Sequence, residues 1–182
     1  NRIPTLNNLE TGSTVDLSQT GTTASDIIRI PKYTYHHLRL TGGLKYFVGG
    51  SSSPIIRGDF VADGVISLGG YLSSGYPTIN CQGDISFING TAFDMTNAGN
   101  NSFLAIKMNK ASGIQHLNVS VPTIYLINLG RDSTGVVNII ASPGTDIQFM
   151  GGYSTGLNFN SSNTTFSTTG GSLGFYNSSS IN

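Results

Sequence analysis

Residues 83–90 read GDISFING, and this stretch decides how the chain is expected to fold. Ile85 and Phe87 are apolar and the residue between them is polar, which is the alternation of a half-buried β-strand. A glycine precedes the strand and Asn89-Gly90 follows it, and both favour tight turns. A short strand between two turns occurs in ordinary β-domains and in repeated coils, so the question is whether the pattern recurs.

The alternation does recur, at intervals of 19 to 23 residues. The apolar pairs at equivalent places are Ile66/Leu68, Ile85/Phe87, Leu104/Ile106, Ile124/Leu126 and Ile147/Phe149, and Phe166 follows them. A second series places asparagine after an apolar residue, at Asn80, Asn118, Asn138 and Asn158, with Asn100 near the gap. A period near 20 without helical periodicity predicts coils of short strands that stack on one another. We therefore predict an all-β parallel β-helix of about six coils, in which each series forms a column and the apolar pairs face inward.

The composition supports this fold class. Gly, Ser, Thr and Asn make up nearly half of the chain, which suits many tight turns, and 37% of the residues are hydrophobic, which suits a buried core. Only 10% of the residues are charged and the formal net charge is zero. The basic residues form no run, so a nucleic-acid-binding surface is not expected.

Residues 1–57 do not follow the interval, and we predict that they form an N-terminal attachment or capping segment. Residues 58–182 are predicted to form the β-helical shaft with a C-terminal capping coil, since an open coil end must be covered. Within the first segment, SDIIRI (25–30) and YTYHHLRL (33–40) predict two β-strands.

These stacked pairs and the asparagine series resemble the right-handed parallel β-helix of pectate-lyase-like and bacteriophage tailspike proteins. The stretch IPTLNNLETGSTVDLSQTGTTASDIIRIP (3–31) is similar to the entry segments of phage tail and fibre proteins. The resemblance implies a stable homotrimer, carried on a virion, that attaches to a host surface and in some members cleaves glycans. An intertwined trimeric β-prism fibre is the alternative architecture.

We therefore expect a non-enzymatic structural protein of a virion: a tail fibre, a tailspike or a capsid decoration protein. Its expected location is the virion or the extracellular space. Its expected partners are further copies in a homotrimer, other virion proteins through residues 1–57, and a host surface glycan. A glycan-cleaving β-helix enzyme is the second hypothesis, and an adhesin or ice-binding surface protein is the third.

An enzyme of the second class would need two carboxylates near each other. Asp63 and Asp84 are the best candidates, since the period places them on adjacent coils and on one face. Both lie beside glycines, where aspartate commonly forms turns, and this is the simpler explanation.

Four tyrosines are predicted to contact a ligand or partner from turns or outward positions: Tyr71, Tyr76, Tyr125 and Tyr153. Tyrosine is enriched at recognition surfaces because one end of the ring is apolar and the other is polar.

No cofactor or metal site is predicted. His36 and His37 would point to opposite faces of one strand and could not share a metal ion. Cys81 is the single cysteine and is expected in the core. No run of 18 apolar residues occurs, so membrane insertion is not predicted.

Overall fold

The computed structural model describes residues 9–48, 54–71, 78–92, 104–121, 123–130, 136–141, 146–150, 164–167 and 173–176. Every strand pairing in it is parallel and joins two segments of the same chain. The regular structure is β except for one 3₁₀ turn among these residues, Ala24–Asp26. The predicted parallel β-helix is therefore confirmed. No helix in the described ranges is long and apolar enough to cross a membrane.

The strands form three sheets. Sheet 1 contains, in spatial order, β1 (Thr14–Ser18), β4 (His37–Thr41), β7 (Phe60–Asp63), β10 (Ile85–Ile88), β12 (Ile114–Val119), β14 (Val136–Ala141) and β16 (Thr164–Ser167). Sheet 2 contains β3 (Thr34–Tyr35), β6 (Ile55–Ile56), β9 (Thr78–Cys81), β11 (Leu104–Met108), β13 (Thr123–Gly130), β15 (Asp146–Met150) and β17 (Leu173–Tyr176). Sheet 3 contains β2 (Ile28–Ile30), β5 (Leu44–Val48) and β8 (Ser67–Tyr71).

The order of the strands along the chain defines the coils. The chain passes from sheet 3 to sheet 2 to sheet 1 three times, and then alternates between sheets 2 and 1 through the remaining described strands. About three turns therefore have all three sides. The coil count differs from the predicted six, although the principle of stacked coils holds.

The core is built on an apolar column along the inner face of sheet 1. Backbone pairing aligns Leu38 with Phe60, Phe60 with Ile85, and Ile85 with Leu117. All four side chains are buried. The ring of Phe60 packs edge-on against Phe47 and Phe87, with centroids 5.8 and 6.0 Å apart. Burial of a side chain of this size contributes about 1.5–3 kcal/mol, so this column is a main source of stability.

The apolar pairs that were predicted from the sequence to stack in one column mostly do not stack on one another. The backbone pairings in sheet 1 show why this prediction was largely wrong. The spacing along the chain grows from Leu38–Phe60 to Phe60–Ile85 and again to Ile85–Leu117, and the last two spacings exceed the predicted interval. From Ile85, a step equal to the predicted interval therefore leaves sheet 1 and reaches sheet 2. Ile85/Phe87 lie in sheet 1, whereas Leu104/Ile106 lie in sheet 2.

Part of the predicted column is confirmed. Within sheet 2, Ile124 pairs with Ile147 and Leu126 pairs with Phe149, as the spacing predicted. The next coil back is displaced: Leu104 pairs with Leu126, and a register shift after Leu104 then pairs Ile106 with Leu129.

Ile66 does not face inward as predicted. It is 48% exposed, and the buried residues on either side of it are Val65 and Leu68. The preceding Gly64 has a φ of +59°, and the turn that it forms changes which residue of the next segment faces the core.

The predicted asparagine column does not form among the described members. Asn80 lies in sheet 2, whereas Asn118 lies in sheet 1. Asn118 pairs in register with Ile140, and Asn138 pairs with His116. Asn100 and Asn158 lie outside the described residues.

One asparagine contact between coils does occur. Asn109 donates from Nδ2 to Oδ1 of Asn80 at 2.9 Å.

The N-terminal strands belong to the same stack as the later ones. Pairing crosses residue 57 in all three sheets, through β4 with β7, β6 with β9, and β5 with β8. The predicted strand in SDIIRI corresponds to β2, and YTYHHLRL contains β3 and β4, separated by a bend at His36. An attachment role for residues 1–57 stays a prediction.

The corner that leads into sheet 1 depends on two stacked glycines. The N–H of Gly83 donates to the carbonyl oxygen of Gly58 at 3.0 Å, and Gly58 donates to His36 in the same way at 2.6 Å. A Cβ atom on Gly83 would overlap the carbonyl carbon and oxygen of Gly58. Because that neighbour is backbone, the coils would have to separate to admit a side chain.

We expect Gly83→Ala to lower the free energy of unfolding by roughly 2–4 kcal/mol, because the added methyl group overpacks two backbones. Gly113→Ala is the matched control. Gly113 has a φ of +74° but open space around its Cβ position, so the cost there is about 1 kcal/mol of backbone strain. Equal losses of stability in denaturant titrations of the two variants would contradict this account of the corner.

Candidate functional site

A polar column runs along the outer face of sheet 1, beside the inner apolar column. Its members are His37, Asp59, Asp84 and His116, which we call the His–Asp column. Each of these residues immediately precedes a member of the inner column, namely Leu38, Phe60, Ile85 or Leu117. Because the backbone register aligns those four, it also aligns the polar residues, on four consecutive coils.

Hydrogen bonds connect each member of the His–Asp column to the next. The backbone N–H of Asp59 donates to His37 Nδ1 at 2.8 Å. The N–H of Asp84 donates to Asp59 Oδ1 at 2.9 Å, and the N–H of His116 donates to Asp84 Oδ1 at 2.9 Å. The ring of His116 also lies beside Asp84, with Nδ1 3.1 Å from Oδ2. The side chains therefore bridge the corners of adjacent coils.

The column is open to solvent. The side chains of Asp59 and Asp84 are 53% and 38% exposed, and those of His37 and His116 are 32% and 34% exposed. The two aspartates are separated by one coil spacing of about 4.8 Å. The arrangement places carboxylate oxygens in a row along the stack, although one oxygen of Asp59 and both oxygens of Asp84 already have a partner.

A second polar group lies at the other end of the same strands. It contains Asp16, Arg39, Thr41, Asp63 and Asn89, and we call it the Arg39 cluster. Arg39 Nη2 is paired with Asp63 Oδ2, and Arg39 Nε lies 3.9 Å from Asp16 Oδ2. Thr41 donates to Asp16 at 3.1 Å, and Asn89 donates to Asp63 Oδ1 at 2.7 Å. The cluster joins four consecutive coils.

The structure does not bring the two predicted carboxylates together. Asp63 and Asp84 lie on adjacent coils, but Asp84 aligns with Asp59, four residues before Asp63. That offset corresponds to about 13 Å along the strand. Both oxygens of Asp63 are also engaged, one by Arg39 and one by Asn89.

The predicted tyrosine contacts stay predictions. Tyr71 is the last residue of β8, and Tyr125 lies within β13. Tyr76 and Tyr153 lie outside the described residues.

The histidine pair is not arranged as predicted. The chain bends at His36, so the two rings do not lie on opposite faces of a strand. The rings of His36 and His37 pack edge-on with their centroids 4.6 Å apart. No group of three or more His, Cys, Asp or Glu side chains within the described ranges has a metal-binding arrangement.

Cys81 lies in the core, where it was expected. Burial raises the pKa of the Cys81 thiol to about 12. A thiol of this kind remains protonated and inert at neutral pH, so Cys81 is a packing residue.

Three buried polar side chains were not identified from the sequence: Lys45, Thr91 and Gln115. Lys45 Nζ donates to the carbonyl oxygens of Gln19 and Gly42 at 3.1 and 2.6 Å. Gln115 accepts the N–H of Lys110 and donates to Cys81, and Thr91 accepts the N–H of Val65. These side chains satisfy backbone groups that the strand ladders leave unpaired at the corners.

Lys45 predicts a specific pH dependence of stability. Burial lowers the pKa of Lys45 to about 8 from 10.5, and the negative charge of Asp16 partly offsets that shift. Between pH 8 and pH 10.5, Lys45 is protonated in the unfolded chain and deprotonated in the folded chain. The free energy of unfolding contributed by Lys45 therefore rises with pH across this window, by on the order of 1–3 kcal/mol.

The measurement is a set of denaturant titrations between pH 7 and pH 10.5 on the wild type, Lys45→Met and Lys32→Met. The stability difference between the wild type and Lys45→Met should increase with pH. The difference between the wild type and Lys32→Met, at a half-buried lysine, should not. A parallel course for all three proteins would disprove the assignment to Lys45.

The His–Asp column predicts a graded response at Asp84. Asp84→Ala removes the acceptor of the His116 N–H and of its ring, and we expect a loss on the order of 1–2 kcal/mol in unfolding free energy. Asp84→Asn keeps an acceptor oxygen, so its loss should be clearly smaller. If denaturant titrations give no loss for the alanine variant, the column does not hold the coils together.

Comparison with protein-family models, curated proteins and solved structures found no match to this chain.

Proposed function

We propose that this protein is a non-enzymatic structural component of a virion: a tail fibre, a tailspike or a capsid decoration protein that attaches to a host surface. The observation that supports this most directly is the outer face of sheet 1. Its polar side chains connect one coil to the next, and they follow one another in a row along the stack. Such a surface suits rigidity and repetitive contact.

The dimensions favour a stiff spacer. Seven stacked strands span about 30 Å at the ordinary strand spacing. Each coil contacts only its neighbours, so the stack can be lengthened without changing its cross-section. A component that holds a binding surface away from a particle has these properties.

The state of the carboxylates also favours a non-enzymatic role. Both oxygens of Asp63 are engaged, and Asp59 and Asp84 each accept a backbone N–H. A glycan-cleaving enzyme needs one carboxyl group as acid and another as base or nucleophile, both free to approach the substrate. None of these three aspartates has both oxygens available.

The partner that we propose for the outer face is a host surface polysaccharide. Its repeated hydroxyl groups can donate to the carboxylate oxygens of the His–Asp column and can accept from imidazole N–H groups such as that of His37, whose Nδ1 already accepts the Asp59 N–H. Members of the column recur at about 4.8 Å. The proposed assembly is a homotrimer, in which three such faces allow one trimer to make several contacts with the host surface.

The test is binding of the purified protein to a panel of bacterial surface polysaccharides, with reducing ends measured in the same samples. We expect retention on at least one polysaccharide without release of reducing ends. Asp59→Ala combined with His116→Ala should weaken retention, whereas Lys32→Ala, which lies outside the column, should not. Release of reducing ends that Asp84→Asn or Asp63→Asn abolishes would instead establish the glycan-cleaving class.

The second readout of that experiment is the molar mass of the purified protein in solution. Light scattering should give three times the chain mass of 19.1 kDa. A stable monomer at the concentrations used for binding would contradict the trimeric assembly and with it this form of the proposal.

A further inference from the structure

Asn89-Gly90 is the one Asn-Gly dipeptide in the sequence. It follows β10 and forms an exposed turn, closed by the N–H of Thr91, which donates to the carbonyl oxygen of Ile88 at 3.2 Å. Both turn residues have positive φ, +53° at Asn89 and +75° at Gly90. Asn89 is the one described residue other than glycine that adopts this conformation.

Gly90 is exposed, and its surroundings are open. Apart from Gly90 itself and its two chain neighbours, no residue has an atom within 4 Å of the position that a Cβ on Gly90 would occupy. Among the described residues, the Gly90 N–H has no backbone acceptor. The adjacent Asn89 amide is held by one contact, from Nδ2 to Asp63 Oδ1 at 2.7 Å.

We propose that Asn89 is a site of spontaneous deamidation and that this modification weakens the Arg39 cluster. The backbone nitrogen of Gly90 loses its proton to water or hydroxide and forms a bond to Cγ of Asn89. The bond from Cγ to Nδ2 breaks, and Nδ2 leaves as ammonia after taking a proton from water. Hydrolysis of the resulting succinimide ring by a second water leaves aspartate or isoaspartate at position 89.

The corner supplies its own matched comparison. Asp63-Gly64 is stacked on the same corner one coil earlier, since Asp63 pairs with Ile88. An Asp-Gly pair can form the same succinimide, with loss of water in place of ammonia. The Gly64 N–H, however, donates to the carbonyl oxygen of Ile88 at 3.1 Å, and the Asp63 carboxylate is paired with Arg39. The two chemically related turns therefore differ in how tightly the reacting groups are held.

Two other described asparagines, Asn80 and Asn118, are protected by strand pairing. Asn80 in β9 and Asn118 in β12 lie in strands that have a partner on both sides. The backbone nitrogen that follows each of them belongs to an extended, paired strand. It cannot turn towards the side chain without breaking the ladder, so position 89 should react before Asn80 and Asn118.

The consequence follows from the charge at the corner. The Asn89 amide donates to Asp63, whereas the aspartate product has no proton to donate at neutral pH and carries a negative charge. Two carboxylates would then face each other across adjacent coils. Asp63 already binds Arg39, which also lies near Asp16, so the cluster has one guanidinium for three carboxylates.

The experiment is incubation of the full chain at 37 °C at pH 7 and pH 9, followed by peptide mass mapping that distinguishes amide from acid at each asparagine. We expect acid at position 89 to accumulate before any at Asn80 or Asn118, and faster at pH 9 because the attacking nitrogen must be deprotonated. Gly90→Ala should slow the conversion, since a side chain hinders the attack. Retention of the amide at 89 while Asn80 or Asn118 converts would overturn the proposal.

The effect on stability is tested with variants that need no incubation. Asn89→Asp should lower Tm by about 2 to 4 °C, as expected when one contact in a chain of this length changes from attractive to repulsive. Asn89→Asp combined with Asp63→Asn restores a donor and an acceptor and should recover part of that loss, whereas Asn89→Gln should lower Tm less than Asn89→Asp. An unchanged Tm in Asn89→Asp would disprove the link to the Arg39 cluster. None of these outcomes depends on the proposed virion role.

Discussion

The structure depends on the backbone ladder that joins each coil to the next in parallel register. In sheet 1 this register places Leu38, Phe60, Ile85 and Leu117 above one another on the inner face. Because side chains alternate between the two faces of a strand, the residue before each of them faces outward. One set of backbone hydrogen bonds thus creates both the core and the His–Asp column, and a shift of register by one residue would destroy both.

The regular backbone pairing is interrupted at the corners between strands. Different residue types stabilise different corners. Gly58 and Gly83 allow two backbones to approach closely. Lys45, Thr91 and Gln115 satisfy carbonyl and amide groups that have no partner in a ladder. Buried polar groups of this kind are costly unless bonded, which explains why each is found against backbone atoms of a neighbouring coil.

The fold class could be predicted from the sequence because alternation within a strand is a local property. Ile85 and Phe87 were expected to face inward and are fully buried. The stacking of coils is not local, and a nearly constant interval misassigned the asparagines because the true coils are unequal and two of them exceed that interval. The His–Asp column did carry a signal: a histidine or aspartate directly before a large apolar residue in His37-Leu38, Asp59-Phe60, Asp84-Ile85 and His116-Leu117. The sequence contained no such signal for Lys45, since a buried lysine cannot be distinguished from a surface lysine by sequence.

The unequal coils have a consequence for how such a chain can change. Partners in sheet 1 remain in register although the chain from Ile85 to Leu117 is much longer than the chain from Leu38 to Phe60. The length of a segment between strands is thus uncoupled from the geometry of the stack, and the entropic cost of a longer connection grows only slowly with its length. Residues can be added to or removed from the segments between strands while the inner column stays as it is, so a single insertion or deletion can change the outer surface of the scaffold.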